Sequence, residues 1–210
     1  MVVSGKLMTN LLSTIERLVL GFILGAIPGL VLGLLMGWSP RLRRIIDPFI
    51  AALHPLPKVA IFPIIMIIFG IGETSKIVAI AIAAFFPILI NSMTGVRHLS
   101  PVYFEVTQNY GANRWTTLKR VVIPGSLPTV LSGIRIAVNL AMVITITVEL
   151  LSASQGLGVI IWFAWQTMRI EELYASLVVT AVLGVLINFI LFQLSKRIVP
   201  WVSTPPEEWE

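Results

Sequence analysis

The residues best suited to specific chemistry fall in one polar stretch, 97–128, RHLSPVYFEVTQNYGANRWTTLKRVVIPGSLP. It sets Arg97, Arg114, Lys119 and Arg120 against a single acid, Glu105. Such a mixture recognises a partner surface; it does not make or break bonds. The sets that do bond chemistry are missing from the sequence. His54 and His98 are far apart and have no Asp or Glu at ligand spacing, so a metal site is not expected. There is no phosphate-cradling Gly-Lys-Ser/Thr loop, and no paired Asp or Ser–His set at membrane depth. The absence of cysteine excludes disulfides and thiolate metal sites. The expectation is a protein that is no enzyme and needs no cofactor. One carboxylate stands apart. Glu149 lies near the end of an apolar run, where a charge is costly and therefore a functional candidate. The plainer reading is a hydrogen-bonded residue at the water boundary, close to Ser152 and Ser154.

The elements that carry these residues are apolar. The chain is 57% hydrophobic and 12% charged, with a mean hydropathy of +0.94. Soluble domains carry about 25% charged residues, so this is an integral membrane protein. Its net charge of +5 is spread between apolar runs, which suits membrane topology better than nucleic-acid binding. The expected fold is all-α: a polytopic bundle of five transmembrane helices. Residues 1–17 are expected as an extracytoplasmic or interfacial segment without the pattern of a signal peptide. A transmembrane domain over 18–197 follows, and then a cytoplasmic tail, 198–210, held extended by Thr204-Pro205-Pro206.

Leu18–Gly37 is the first span, with glycines at 21, 25, 29, 33 and 37 forming a groove for a neighbouring helix. Trp38–Lys58 is expected as an inside loop with a short interfacial helix. Leu56–Ile71 is a short second crossing containing Pro63, and Ile77–Met93 is the third. Thr129–Leu151 is the fourth, 152–172 a mixed loop, and Tyr174–Leu194 the fifth. With 97–128 inside, eleven Lys and Arg fall on the inner side, Lys58 and Arg135 among them. Four fall outside: Lys6, Arg17, Lys76 and Arg169. The positive-inside rule then makes the central stretch and the carboxyl terminus cytoplasmic. Asn91, Asn139 and Asn188 are expected to hydrogen-bond between helices. Thr145 and Thr147 fall on opposite faces of their helix, so at most one faces a pathway. Glu149, Asn139 and Thr145 are the pathway candidates. No Arg or Lys cluster lies mid-membrane in this reading.

Within the central stretch, local rules predict two short helices around a turn. Pro101 can open the first, since its missing N–H is unneeded there. Gly111 can take the left-handed conformation that ends it. Asn113 can cap the second, and Pro124 is expected to stop it. Glu105 is expected to accept from nearby amides or pair with a base of the chain. The order Glu105-Val106-Thr107, three residues, Gly111, nine residues, Val121, one residue, Ile123-Pro124 resembles the cytoplasmic signature of ABC importer permeases. That signature runs Glu-Ala-Ala, three residues, Gly, nine residues, Ile, one residue, Leu-Pro. Val106-Thr107 departs from its Ala-Ala. HPLPKVAIFPIIMIIFGIGETSKI, AAFFPILINSMTGVR and SQGLGVIIW extend the resemblance to the nitrate, sulfonate, taurine and bicarbonate branch, over about residues 10–197.

This resemblance implies a type I permease subunit in the bacterial inner membrane. It implies ATPase coupling through Glu105, Tyr110, Gly111, Ala112, Arg114, Val121, Ile123 and Pro124. The implied partners are two ATPase copies, an extracytoplasmic substrate-binding protein meeting loops 70–76 and 152–172, and a second permease copy. The implied substrate is a small oxyanion or sulfonate such as nitrate, taurine, an alkanesulfonate or bicarbonate. Members of the branch usually have one more amino-terminal span. The alternative class is a channel or secondary transporter with no ATPase; it would want ionisable residues at mid-span.

Overall fold

A computed structural model describes residues 6–201. The tail from 202, including Thr204-Pro205-Pro206, and residues 1–5 lie outside it. The described residues form nine α-helices and no strand. Four helical stretches are long and apolar enough to cross a membrane, and a bent pair supplies a fifth crossing.

Helix α1 runs from Lys6 to Trp38, passing through Pro28. It starts well before the apolar run at Leu18, because Thr14 and Arg17 are buried on a protein-facing side of the helix and need no water. Helix α4, Glu73–Arg97, lies alongside it. The glycine groove faces α4: a Cβ on Gly25 would sit 2.1 Å from the Ala81 carbonyl oxygen, one on Gly29 2.7 Å from that of Phe85, and one on Gly33 2.4 Å from that of Leu89. Each four-residue step on α1 meets a four-residue step on α4. The two helices therefore run parallel and in step, backbone against backbone.

Two neighbouring parallel helices need a return crossing between them. That crossing is broken into α2, Pro40–Leu53, and α3, Lys58–Phe69, which meet at 100°. Neither reaches across the roughly 30 Å hydrocarbon core alone, since 14 and 12 residues rise about 21 and 18 Å. The break is His54-Pro55-Leu56-Pro57. Residues before proline avoid the helical region, and two prolines in a row of four leave no room for a continuous helix. This corrects the expectation of an interfacial helix in an inside loop. The first turns of α2 carry Arg41, Arg43 and Arg44, but its last turn is apolar. Ile50 is buried with Met36, Phe86, Leu89 and Met93. The helix climbs from the basic end to mid-height.

Helix α5, Pro101–Asn109, follows α4. A long helical stretch, Arg114–Ser152, comes next. It consists of a four-residue helix α6, Arg114–Thr117, a π turn over Leu118–Val122, and α7, Ile123–Ser152. Pro124 does not stop it. In the π turn the Ile123 N–H donates to Leu118 O, one residue further back than in an α-helix. The widened turn accommodates the proline ring, which cannot donate to the preceding turn. Helix α7 packs antiparallel on α4, with Gly95 beside Ser126 and Gly133 beside Asn91.

The expected loop 152–172 contains α8, Leu157–Gln166, too short to cross. Leu157 and Ile160 are buried against Leu183 of α9, Ile170–Ile198, and against Leu11 and Ile15 of α1. Nine apolar residues and Gln166 between polar turns read as loop in sequence, and only the packing makes them a helix. The main core joins α1, α3, α4 and α7 around Phe62, Ile80, Ala84, Ala141 and Val148.

Candidate functional site

The central stretch forms an elbow at the Trp38–Arg97 end of the bundle. Pro101 opens α5. Gly111 has φ +67, and the N–H groups of Gly111 and Ala112 donate to Gln108 O at 2.9 Å and Thr107 O at 2.9 Å. Asn113 Oδ1 accepts from the Thr116 N–H at 2.7 Å, capping α6. The inner side of the elbow is anchored: the Phe104 ring lies 6.1 Å from Trp38, and Leu99 fills the space beside Gly125.

The outer side is open. Tyr110 is 87% exposed and Trp115 70%, with Val102, Tyr103 and Val106 also outward. Arg114, Lys119 and Arg120 are exposed around them. Glu105 is exposed and has no hydrogen bond or ion pair among the described residues; it neither caps a backbone nor pairs with a base of the chain. Ala112, Val121 and Pro124 are half-buried, and Ile123 is exposed on the same segment. Exposed aromatics and arginine around an unpaired carboxylate have the composition of a protein interface, and nothing among the described residues covers them.

The opposite end is sealed by a polar cluster. Arg17 Nε and Nη2 donate to both Glu73 oxygens at 2.5 and 3.0 Å, and Nη1 donates to Glu149 Oε1 at 2.7 Å and Gln155 O at 2.6 Å. Thr14 Oγ1 donates to Glu149 at 2.9 Å and accepts from the Leu157 N–H at 2.9 Å. The Gly158 N–H donates to Glu149 Oε2 at 3.0 Å, and Lys76 Nζ to Glu73 Oε1 at 2.8 Å. Glu149 therefore bonds to α1 and α8, not to Ser152 or Ser154. Arg17 and Thr14 are the partners that sequence reading missed. Their signal is Thr-x-x-Arg, one helical turn apart on one face, ahead of an apolar run. Gly156, φ +133, leaves room for this carboxylate, since a Cβ there would lie 2.3 Å from Glu149 Cδ; Gly158 lets α8 approach α7, where a Cβ would lie 2.5 Å from the Ile146 carbonyl oxygen and 2.7 Å from Glu149 Cβ.

The remaining sequence candidates separate. Asn188 Nδ2 donates to Asn139 Oδ1 at 2.8 Å, the expected bond between helices, here α9 to α7. Asn91 differs, donating to Pro87 O of its own helix. Thr145 is fully buried and its hydroxyl donates to Ala141 O, so it opens on no surface of this chain. Glu149 is likewise sealed inside.

Residues 29–204 match the family described as binding-protein-dependent transport system inner membrane component. The chain is 34% identical over 197 residues to the taurine transport system permease protein TauC of Escherichia coli (strain K12), covering 94% of this chain and 72% of that protein. It is 34% identical over 201 residues to the putative aliphatic sulfonates transport permease protein SsuC of Bacillus subtilis (strain 168), covering 96% and 73%. Its fold is similar to a chain of the MetNI methionine ABC transporter in an inward-facing conformation, with TM-score 0.78, 19% identity, and coverage of 93% and 97%. The chain belongs to the family of binding-protein-dependent transport system inner membrane components. It is a multi-pass permease subunit of an ABC importer.

Proposed function

We propose that this permease carries small sulfonates or related oxyanions inward as one of two identical copies. Two ATPase subunits grip residues 100–125 from the cytoplasm, and an extracytoplasmic binding protein delivers substrate at the sealed end. The observation that carries the reading is the elbow: a helix–turn–helix whose Glu105, Tyr110, Arg114 and Trp115 are left exposed by the described residues. The chain has no nucleotide-binding loop of its own, so a soluble motor must supply the work. Closure of the motors on the elbow biases a two-state bundle between outward- and inward-facing forms. Arg41, Arg97, Arg114, Lys119, Arg120 and Lys196 support a cytoplasmic elbow and carboxyl terminus. The substrate class rests on the names of the two 34% relatives. The test is purification of the tagged chain from its native membrane. The proposal expects a stoichiometric ATPase to accompany it and uptake of taurine or an alkanesulfonate to require nucleotide hydrolysis; nucleotide-independent uptake overturns it.

A further inference from the structure

The break between α2 and α3 places a lysine at mid-height of the bundle, level with Phe86 of α4. Lys58 Nζ sits 4.9 Å from the centre of the Phe86 ring, and His54 stacks on the same ring at 5.7 Å. Phe86 lies one residue from the midpoint of α4, Glu73–Arg97: at 1.5 Å per residue it is about 20 Å from Glu73 and about 17 Å from Arg97. Lys58 therefore does not belong to the cytoplasmic loop that its sequence position suggests. Its four-carbon stem is far shorter than either distance, so it cannot snorkel to a headgroup layer.

The ammonium donates to His54 O at 2.5 Å and Leu56 O at 2.8 Å, the carbonyls freed by the break. An ammonium has three donors, and two are used. No carboxylate pairs with it among the described residues. The segment around it is not covered by its own chain, since His54, Pro55, Leu56 and Pro57 are all exposed. Non-helical backbone at this depth survives only against protein or a water-filled cavity, and a charged group there marks a solute path. Beside it an apolar cavity of about 500 Å³ is lined by Leu24, Pro28, Leu53, Leu56, Phe85 and Phe86.

We infer that Lys58, with His54 beside it, is the mid-membrane contact for the anionic group of the substrate. The apolar cavity receives the short aliphatic part. This deepens the sulfonate reading above and rests on it. A cation with a free donor, next to an apolar cavity and with no competing acid, fits an aliphatic sulfonate better than a sugar or a cation.

The test uses the assembled importer, with cysteine-free partner subunits, in proteoliposomes. Uptake of ethanesulfonate and propanesulfonate is read beside nucleotide hydrolysis. Lys58→Gln is expected to cut uptake about tenfold or more, the scale of one charge-assisted hydrogen bond. Assembly and hydrolysis should persist, and Lys58→Arg should keep most of the uptake. Lys58→Cys introduces the single thiol of a cysteine-free chain. A water-soluble thiosulfonate carrying an ethylammonium should react there and restore uptake, and its ethylsulfonate counterpart should react without restoring it. Unchanged uptake in Lys58→Gln overturns the inference. So does loss of assembly in both Lys58→Gln and Lys58→Arg, which would make the lysine only a cap on the break. If the unsubstituted complex imports neither sulfonate, the substrate reading fails separately. Reagent access still decides the site in that case: a thiol at 58 that aqueous reagents reach supports a water-lined passage there, and one they cannot reach overturns it.

Discussion

The Arg17 guanidinium meets the fully buried Glu149 carboxylate at 2.7 Å, joining α1 to α7 across 132 residues of sequence. The same guanidinium holds Glu73 of α4, and the same carboxylate holds α8 through Gly158. One end of the bundle is thus tied through a single polar knot that joins α1, α4, α7 and α8.

Removing one partner of that knot leaves an uncompensated buried charge, which costs about 3–5 kcal/mol. Arg17→Met is expected to lower the thermal unfolding midpoint in detergent markedly. Glu73→Gln should cost much less, because the Glu73 side chain is 54% exposed and the buried Arg17–Glu149 contact survives. Equal losses in the two variants would contradict the assignment of the knot to Glu149.

Two glycines inside helices separate packing from propensity. Gly25→Ala puts a methyl 2.1 Å from the Ala81 carbonyl oxygen and must force α1 away from α4. Gly184→Ala meets only Met142 at 3.4 Å and gains helix propensity of about 0.5–1 kcal/mol. Unfolding midpoints should move in opposite directions.

Glu105 makes no hydrogen bond or ion pair among the described residues. Glu105→Ala is therefore expected to change stability by no more than about 0.5 kcal/mol and to leave membrane insertion intact. Substrate-stimulated hydrolysis by the bound ATPase should fall sharply. A variant that unfolds, or one that couples normally, would each remove Glu105 from the interface.

Topology is tested by thiols at the two ends. Gln108→Cys in α5 should react with membrane-impermeant reagents only from the cytoplasmic side, and Ser154→Cys only from outside. The reverse pattern would invert the assembly.

Much of the elbow was legible in the sequence because local rules build it. Pro101, Gly111 and Asn113 act on their own backbone neighbours, and each does in the structure what its residue type dictates. Pro124 was misread because the π turn that accommodates it has no residue signature. The knot was invisible for a different reason: Thr14 and Arg17 read as polar residues outside a span until α7 and α8 are packed against them. Lys58 was misplaced because a basic residue after two prolines looks like loop. Only its position against Phe86 puts it at mid-height.

The central claim is that the elbow is the grip of a separate motor. The most direct measurement places a photo-crosslinking amino acid at Tyr110, the elbow's most exposed aromatic, in the complex purified from native membrane. The account predicts a crosslink to the ATPase subunit, and none from the same probe at Trp162 on the opposite end. A crosslink from Trp162 to the ATPase, or none from Tyr110 in a complex that hydrolyses nucleotide, would contradict it.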